Sequence, residues 1–315
     1  MAAKPGGRFT RAVSLPPSPR VHHPAARYVV FTDLDGTLLD HHTYSYEQAL
    51  PGLELLRQRN IPVVFCSAKT RAEQAVYRDA LQLHDPFIVE NGGAVFVERD
   101  YFKRPHTSTR STNGFDVLEF ARPCAEVRKI LSMVRAELQL SLKGYGDMTL
   151  PEIVELTGLD ERSAALAARR EYEETVVTRL SDSDRERFRA ALARHGVMMT
   201  AGARFISIST ANDKGRATKA LIEMFRRERG EIVTVGIGDS WNDGPMLSVT
   251  DLALQVQQPG GNWADLPVND IRKINGVGPK GWTLAMSQLL EAQPTGCVAA
   301  PGAALAKPNC GTSER

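Results

Sequence analysis

The sequence predicts an α/β protein whose core is a parallel sheet flanked by helices, with an α+β domain inserted into it. Residues 28–103 and 210–291 alternate short apolar runs with amphipathic segments, which is typical of βαβ units. Residues 104–209 carry more charge and longer helical patterns. Because strands and helices do not alternate strictly there, this stretch is predicted to be an inserted α+β cap domain.

The first core stretch begins with a short apolar, β-forming run at 28–32. After it we expect a helix, a strand, a helix and two short strands at 47–59, 61–66, 72–81, 87–89 and 94–97. The apolar runs are continuous rather than alternating, which indicates strands covered by helices on both faces.

The second core stretch repeats this pattern after the insertion. It predicts a helix, a buried strand, a helix, a short strand and a last helix at 215–229, 231–237, 244–248, 252–256 and 282–290. The cap domain is expected to contain two long helices and three isolated strands at 125–138, 182–195, 174–180, 197–200 and 205–208. The two core stretches are therefore expected to share one sheet.

The two ends of the chain have the composition of disordered tails. Residues 1–27 contain five basic residues and no acidic one, and they are rich in Pro, Ala and Ser. This favours a disordered basic tail, with an organelle transit peptide as the alternative. Residues 292–315 are rich in Ala, Gly and Pro without apolar periodicity, which also predicts disorder.

Charge and cysteine usage narrow the class of protein. The net charge is +2, from 39 basic and 37 acidic residues, which gives no reason to expect a nucleic-acid partner. No apolar run approaches the roughly 20 residues that span a bilayer, so no membrane partner is expected. The four cysteines form no C-x-x-C pair and indicate free thiols in a reducing compartment. A cytoplasmic enzyme is the expectation, and the oligomeric state is left open.

Polar side chains follow the predicted core strands, where ligands bind in open α/β sheets. The residues at these strand ends, glycines included, are Asp33, Asp35, Gly36 and Thr37 after the first strand, Ser67 and Lys69 after the second, Glu90, Asn91, Gly92 and Gly93 after the third, and Gly238, Asp239, Ser240, Asn242 and Asp243 after the late strand. Asp33 and Asp35 lie two residues apart, so their carboxylates repel each other. The pair is tolerable if a cation or a proton offsets the charge. Carboxylate oxygens suit Mg²⁺, and Mg²⁺ with acids and Lys214 is the equipment of phosphoryl transfer.

Four motifs resemble those of the haloacid dehalogenase (HAD) superfamily, in the same order along the chain. Residues 33–37 (DLDGT) resemble the first motif and residues 238–243 (GDSWND) resemble the fourth, while Ser67 matches the second and Lys214 the third. The resemblance implies a HAD-like Rossmannoid core and a catalytic set of Asp33, Asp35, Ser67 and Lys214.

The roles that the resemblance implies are specific. Asp33 would attack phosphorus to form an aspartyl-phosphate, and Asp35 would protonate the leaving oxygen and then activate water. Ser67 and Lys214 would hold the phosphoryl oxygens. The candidate ligands of Mg²⁺ are Asp33, Asp35, Asp239 and Asp243, with Asp243 either a direct ligand or a partner behind one.

Longer phrases resemble the mannosyl-3-phosphoglycerate phosphatase family over about residues 28–290. They are FTDLDGTLLD, YSYEQALPGLELL, CSAKTRAE, PFIVENGGAVF, REYEE and VGPKGW. The resemblance implies a small phosphorylated sugar as substrate and a Mg²⁺-dependent release of phosphate that yields mannosylglycerate, a compatible solute.

Five residues are candidates for substrate binding. Arginine side chains suit the substrate's carboxylate, with a solvated helix face as the alternative. A lysine beyond the second strand and backbone amides beyond the third are placed to approach substrate oxygens. The candidates are Lys69, Asn91, Gly92, Arg170 and Arg204.

Other functions remain open at this stage. The substrate is alternatively glucosyl-3-phosphoglycerate or another sugar phosphate such as sucrose phosphate. A phosphotransferase similar to phosphomannomutases would share this core but depend on a bisphosphate activator. A binding protein without catalysis is disfavoured, because Asp33, Asp35, Lys214 and Asp239 are all present.

Overall fold

The computed structural model describes residues 28–178, 180–201, 205–210 and 213–291. The strands are β1 (Tyr28–Thr32), β2 (Val63–Cys66), β3 (Phe87–Val89), β4 (Ala94–Glu98), β5 (Arg110–Thr112), β6 (Phe115–Glu119), β7 (Glu174–Val176), β8 (Val197–Ala201), β9 (Ile206–Thr210), β10 (Val233–Gly238), β11 (Leu252–Gln257) and β12 (Arg272–Val277). The helices are α1 (Leu50–Gln58), α2 (Arg71–Leu81), α3 (Cys124–Leu138), α4 (Leu150–Thr157), α5 (Glu161–Ala167), α6 (Asp182–Arg194), α7 (Lys214–Arg229), α8 (Gly244–Leu247) and α9 (Gly278–Glu291).

Nine strands from both core stretches form one sheet in the order β12-β11-β10-β1-β2-β3-β4-β6-β5. Neighbours from β12 to β3 are parallel, whereas β4, β6 and β5 are added antiparallel at one edge. The first strand, β1, therefore lies between β2 and β10. This arrangement brings the residues after β1 and β10 to the same edge of the sheet.

Alternate residues of β1 enter two apolar clusters on opposite faces of this sheet. Val29 and Phe31 join the cluster that includes α7 and α8, and Val30 joins the cluster that includes α1, α2 and α9. All three side chains are fully buried. Burial on both faces explains why the core strands are apolar at every position.

A second, antiparallel sheet of three strands, in the order β7-β9-β8, lies in the inserted stretch. Helices α3 and α6 pack on it through residues such as Val127, Leu131 and Phe188. Helices α4 and α5 contribute a smaller apolar cluster that includes Ile153 and Ala164. The cap therefore has its own apolar interior.

The predicted fold class is confirmed, with one difference at the edge of the sheet. Strands β5 and β6 lie within the predicted cap range of 104–209, yet they pair in the large sheet next to β4. Their side chains are mostly half-buried, so they form no continuous apolar run that would reveal a core strand. We therefore propose that the cap domain spans residues 120–209.

Three further differences concern single elements. Strand β12 was not predicted, because it alternates exposed and buried residues and carries Arg272 and Lys273. The short helices α4 and α5 were not predicted, and β7 ends earlier than the predicted strand at 174–180. The two predicted tails lie outside the described residues. None of the helices in the described part of the chain is long and apolar enough to cross a membrane.

Candidate active site

Asp33 follows β1 directly and continues its pairing with β10. Its backbone N–H donates to the carbonyl oxygen of Ile237 at 3.0 Å. Behind it, the indole N–H of Trp282 donates to the Thr32 hydroxyl at 3.0 Å, and that hydroxyl donates to the Asp33 carbonyl oxygen at 2.7 Å. The backbone on both sides of the Asp33 side chain is therefore held by the sheet and by α9.

Lys214 is the first residue of α7, and Asp213 caps this helix by accepting from the Arg216 N–H at 2.8 Å. The Lys214 side chain is fully buried, and its Nζ lies 2.6 Å from Asp33 Oδ1 and 2.7 Å from Asp243 Oδ1. Burial lowers the pKa of Lys214, but the charges of Asp243 and Asp33 outweigh it and raise the pKa above its ordinary value. Lys214 is therefore a permanent cation between two carboxylates.

Asp243 uses both carboxylate oxygens within the protein. Its Oδ2 accepts from the N–H groups of Asp239 and Ser240, each at 3.0 Å, while Oδ1 faces Lys214. Asp239 Oδ1 accepts from the Thr37 hydroxyl at 3.1 Å. The two acids that follow β10 are thus fixed by backbone and side-chain donors.

Asp33, Asp239 and Asp243 form a buried cluster of three carboxylates, with one oxygen from each within 4.8 Å of the others. Burial and then the charge of Asp243 raise the pKa of Asp33 well above its ordinary value, although Lys214 opposes this. Burial and Asp243 likewise raise the pKa of Asp239 to about 7. One lysine does not offset three acids, so the cluster fits a hard divalent cation such as Mg²⁺.

Asp35 lies outside this cluster and pairs with Lys69. Lys69 Nζ is 2.9 Å from Asp35 Oδ1 and 3.7 Å from Glu73 Oε1, and it lies 4.7 Å from the centre of the Tyr44 ring. Burial lowers the pKa of Lys69, but Asp35 and Glu73 outweigh it and raise the pKa. The structure therefore brings Lys69 to the acid that follows the candidate nucleophile.

Ser67 and Gly92 also lie at the edge where the parallel strands end. Ser67 is buried, its N–H donates to Ile88 O at 3.2 Å, and its hydroxyl accepts from the Lys69 N–H at 3.2 Å. Gly92 has φ of +92°, and a Cβ there would lie 2.1 Å from the Asp213 carbonyl oxygen. Gly92 therefore permits close packing against the start of α7, beside Lys214.

Asn91 links the cap to the loop after β10. Its Nδ2 donates to both carboxylate oxygens of Glu173, at 3.0 and 3.2 Å, and its Oδ1 accepts from Asn242 Nδ2 at 3.1 Å. Arg170 donates to the Ala68 carbonyl oxygen at 2.9 Å and pairs with Glu173 at 3.3 Å. Arg170 is thus a bridge between cap and core rather than a solvated helix residue.

Glu173 and Gln258 belong to the site but were not predicted from the sequence. The predicted candidate Arg204 lies outside the described residues. Glu173 is buried, and burial raises its pKa to about 7 while Arg170 and Asn91 oppose the shift. Gln258 approaches Asp239 Oδ2 at 3.4 Å. Gln258 follows β11, so the strand-end rule that identified Asp33 would also have identified it.

Comparison with known proteins matches this chain to a hydrolase family and to relatives that are phosphatases. The family described as haloacid dehalogenase-like hydrolase matches residues 30–258. The glucosyl-3-phosphoglycerate/mannosyl-3-phosphoglycerate phosphatase of Methanococcoides burtonii is 40% identical over 267 residues, covering 84% of this chain and 97% of that protein. The mannosyl-3-phosphoglycerate phosphatase of Pyrococcus furiosus is 39% identical over 229 residues, covering 72% of this chain and 90% of that protein.

Solved structures share the fold at lower sequence identity. BT1666 from Bacteroides thetaiotaomicron, a HAD-superfamily phosphatase, has a TM-score of 0.60 at 17% identity and covers 86% of this chain and 98% of its own. The sucrose-phosphatase of Synechocystis sp. PCC6803 has a TM-score of 0.54 at 15% identity and covers 84% and 98%. At these identities the likeness concerns the fold alone.

Proposed function

This chain belongs to the haloacid dehalogenase-like hydrolase family, and on that basis we propose that it is a Mg²⁺-dependent phosphatase of mannosyl-3-phosphoglycerate. The products are mannosylglycerate and inorganic phosphate. The observation that supports this most is the buried Asp33 carboxylate, which lies 2.6 Å from Lys214 and shares a cluster with two further acids. The names of the relatives from Methanococcoides burtonii and Pyrococcus furiosus support the substrate.

The chemistry divides between Asp33 and Asp35. A carboxylate oxygen of Asp33 bonds to phosphorus while the bond from phosphorus to the glycerate oxygen breaks, and Asp35 gives that oxygen a proton. In the second step a water molecule loses a proton to Asp35 and attacks phosphorus, which releases Asp33. Lys214 lowers the pKa of Asp33 and so opposes the effect of burial, and with Ser67 it holds the phosphoryl oxygens.

The buried acids divide into direct and indirect partners of the cation. Asp243 already accepts from two backbone N–H groups and from Lys214, so we assign it to holding the loop and Lys214 in place. Asp33 and Asp239 are the direct ligands in this proposal, and the Asp35 carboxylate is reserved for proton transfer because it faces Lys69. When bound, Mg²⁺ would offset negative charge on the transferring phosphoryl group.

The leaving group is proposed to lie beside Lys69. Lys69 is a buried cation that contacts Asp35, and Asp35 must reach the glycerate oxygen to protonate it. A carboxylate on the same glycerate then has Lys69 within reach. Asn91 and Gly92 border this space in the proposal, while Arg170 acts through its contacts to Ala68 and Glu173.

Glucosyl-3-phosphoglycerate is the second candidate substrate. It is favoured by the relatives from Methanococcoides burtonii and Persephonella marina, whose names carry both sugars. We also propose a cytoplasmic location, which is supported by the free, buried thiols of Cys66 and Cys124.

Phosphate release from the mannosyl and glucosyl compounds and a panel of sugar phosphates tests the proposal. Each reaction is run with Mg²⁺, with a chelator and with Asp33→Asn. We expect release from the phosphoglycerate conjugates, lost with the chelator and in the variant. Release only from other sugar phosphates would contradict the substrate, and turnover that requires a bisphosphate activator would indicate a phosphotransferase.

A further inference from the structure

The loop that follows β3 has an unusual backbone and contacts three parts of the molecule. Glu90, Asn91 and Gly92 have φ values of +48°, +53° and +92°, a conformation that costs free energy for residues other than glycine. Such conformations persist only when the surrounding contacts impose them. The contacts of this loop therefore indicate what it holds in place.

Glu90 binds the backbone of the cap. Its side chain is fully buried, and its carboxylate accepts hydrogen bonds from three consecutive N–H groups, those of Glu171 at 2.9 Å, Tyr172 at 2.8 Å and Glu173 at 2.8 Å. We call residues 170–173 the strap. A carboxylate with three aligned N–H donors is a strong and directional contact, so it fixes the strap on the core.

The strap in turn binds Asn91, which lies in the same loop after β3 and faces the candidate active site. Glu173 accepts from Asn91 Nδ2, and Asn91 Oδ1 accepts from Asn242, which belongs to the loop that carries Asp239 and Asp243. The Asn242 Oδ1 atom accepts from the Ser240 hydroxyl at 2.7 Å. A continuous series of hydrogen bonds thus runs from the cap backbone to the candidate metal loop.

Two glycines place the loop tightly between the strap and α7. A Cβ on Gly93 would lie 2.6 Å from the Tyr172 Cβ, and a Cβ on Gly92 would lie 2.1 Å from the Asp213 carbonyl oxygen. Asp213 precedes Lys214, the cation at the nucleophile. A shift of the strap would therefore displace Lys214 through these close contacts. It would also displace Asn242 through the hydrogen bonds of Asn91.

We propose that Glu90 is a positioning residue that makes phosphoryl transfer depend on the seating of the cap strap. It acts through Glu173 and Asn91 on Asn242, without touching substrate. Glu90 also precedes Asn91 in the chain, so its coupling to Asn242 runs through the strap residue Glu173 and through the backbone of the loop itself. The kinetic test of this inference rests on the proposed function, because it measures phosphate release from the proposed substrate.

The first test measures hydrogen–deuterium exchange of the full-length protein and needs no substrate. Glu90→Gln keeps the shape but replaces one acceptor oxygen by an amide that faces N–H donors. We expect the amides of residues 171–173 to exchange at least about 10-fold faster, since hydrogen bonds to charged groups are among the stronger ones. Glu98→Gln, on β4 and in contact with Arg78, is the matched control and should leave these amides unchanged.

The second test is a double-variant cycle on phosphate release. Glu90→Gln and Asn242→Ala are each expected to lower kcat/KM for mannosyl-3-phosphoglycerate by about 10- to 100-fold. The double variant should be within about 2-fold of Asn242→Ala alone, because both changes interrupt one series of contacts. Fold losses that multiply, or unchanged exchange in Glu90→Gln, would overturn the inference.

Gly93→Ala provides a second way to displace the strap if Glu90→Gln does not fold. The added methyl group meets Tyr172, so the same faster exchange and the same lack of additivity with Asn242→Ala are expected. Absence of activity in the wild-type protein would contradict the proposed function alone. The exchange results would still decide whether Glu90 anchors the strap.

Discussion

Lys214 lies between Asp33 and Asp243, so its removal leaves two buried carboxylates facing each other. We expect Lys214→Met to lose about 3–5 kcal/mol of unfolding free energy at pH 7.5, because breaking a buried ion pair leaves uncompensated charge. The deficit should be smaller at pH 5, because burial and the charge of Asp243 raise the pKa of Asp33 and favour its uncharged form as pH falls. Urea unfolding at both pH values measures this.

The control for this prediction lies on the same helix. Lys219 is exposed on α7, and Lys219→Met should change the unfolding free energy by less than about 0.5 kcal/mol. A deficit in Lys214→Met that is the same at both pH values would show that lost packing, rather than charge, causes it. Activity should fall by at least about 100-fold in Lys214→Met alone.

The raised pKa of Glu173 predicts how the unfolding free energy changes with pH. Burial raises its pKa from 4.5 to about 7. Between these values the folded protein keeps a proton that the unfolded chain has released, so this group's contribution to stability is lost as pH rises, by up to about 1.4 kcal/mol per pH unit. Glu173→Gln has no proton to release, and its unfolding free energy should fall less steeply across this window.

Chemical unfolding from pH 4.5 to 7.5 checks this difference in slope. Glu155→Gln, an exposed change on α4, should reproduce the wild-type slope. If Glu173→Gln also reproduces it, the pKa of Glu173 is not raised in the folded protein. The pairing with Asn91 and Arg170 would then outweigh burial.

At the scale of elements, Gly92 fixes the distance between the loop after β3 and the start of α7. Gly92→Ala should cost about 2–4 kcal/mol, since a left-handed φ and a steric overlap both oppose the methyl group. Gly114→Ala has a similar φ of +84° with open space around it and should cost about 1–2 kcal/mol. Equal costs for the two variants would show that the contact with Asp213 is unimportant.

The elements that the sequence revealed are those whose burial is uniform. Strands β1, β2 and β10 are apolar along their length because helices cover both faces of the sheet, so their ends, and with them Asp33 and Asp239, were predictable. Strands β5, β6 and β12 lie at or near the edges of the sheet and are partly exposed. Their sequences therefore resemble loops, and only the pairing with a neighbour identifies them.

Contacts between cap and core were harder to predict than either domain. Arg170 and Glu173 are charged residues that look solvated in sequence, yet both are held at the interface with the loop after β3. Glu90 is an acid directly after a strand, like Asp33, but it faces the cap backbone. Residue type and spacing predict which side chains reach the sheet edge, whereas partners far apart in sequence depend on the packing.

At the scale of the whole molecule, the site joins parts of the chain that the cap domain separates in sequence. Asp33 follows β1 in the first core stretch, and Asp239 and Asp243 follow β10 in the second. The parallel pairing of β1 with β10 brings them together. The order of the four motifs predicted this convergence, and the family match over residues 30–258 agrees with it.

A cation held by both core stretches should bind the folded chain and not the unfolded one, so Mg²⁺ should raise the unfolding free energy. At a concentration of 100 times its Kd the gain is about 2.7 kcal/mol, measured as a shift in Tm. Asp239→Asn should lose most of this shift, because Asp239 belongs to the carboxylate cluster. Asp35→Asn should keep the shift and yet lose turnover, since its carboxylate pairs with Lys69 outside the cluster. Loss of the Mg²⁺-dependent Tm shift in both variants would instead indicate that Asp35 is also a metal ligand. The cluster of three carboxylates would then not be the whole metal site.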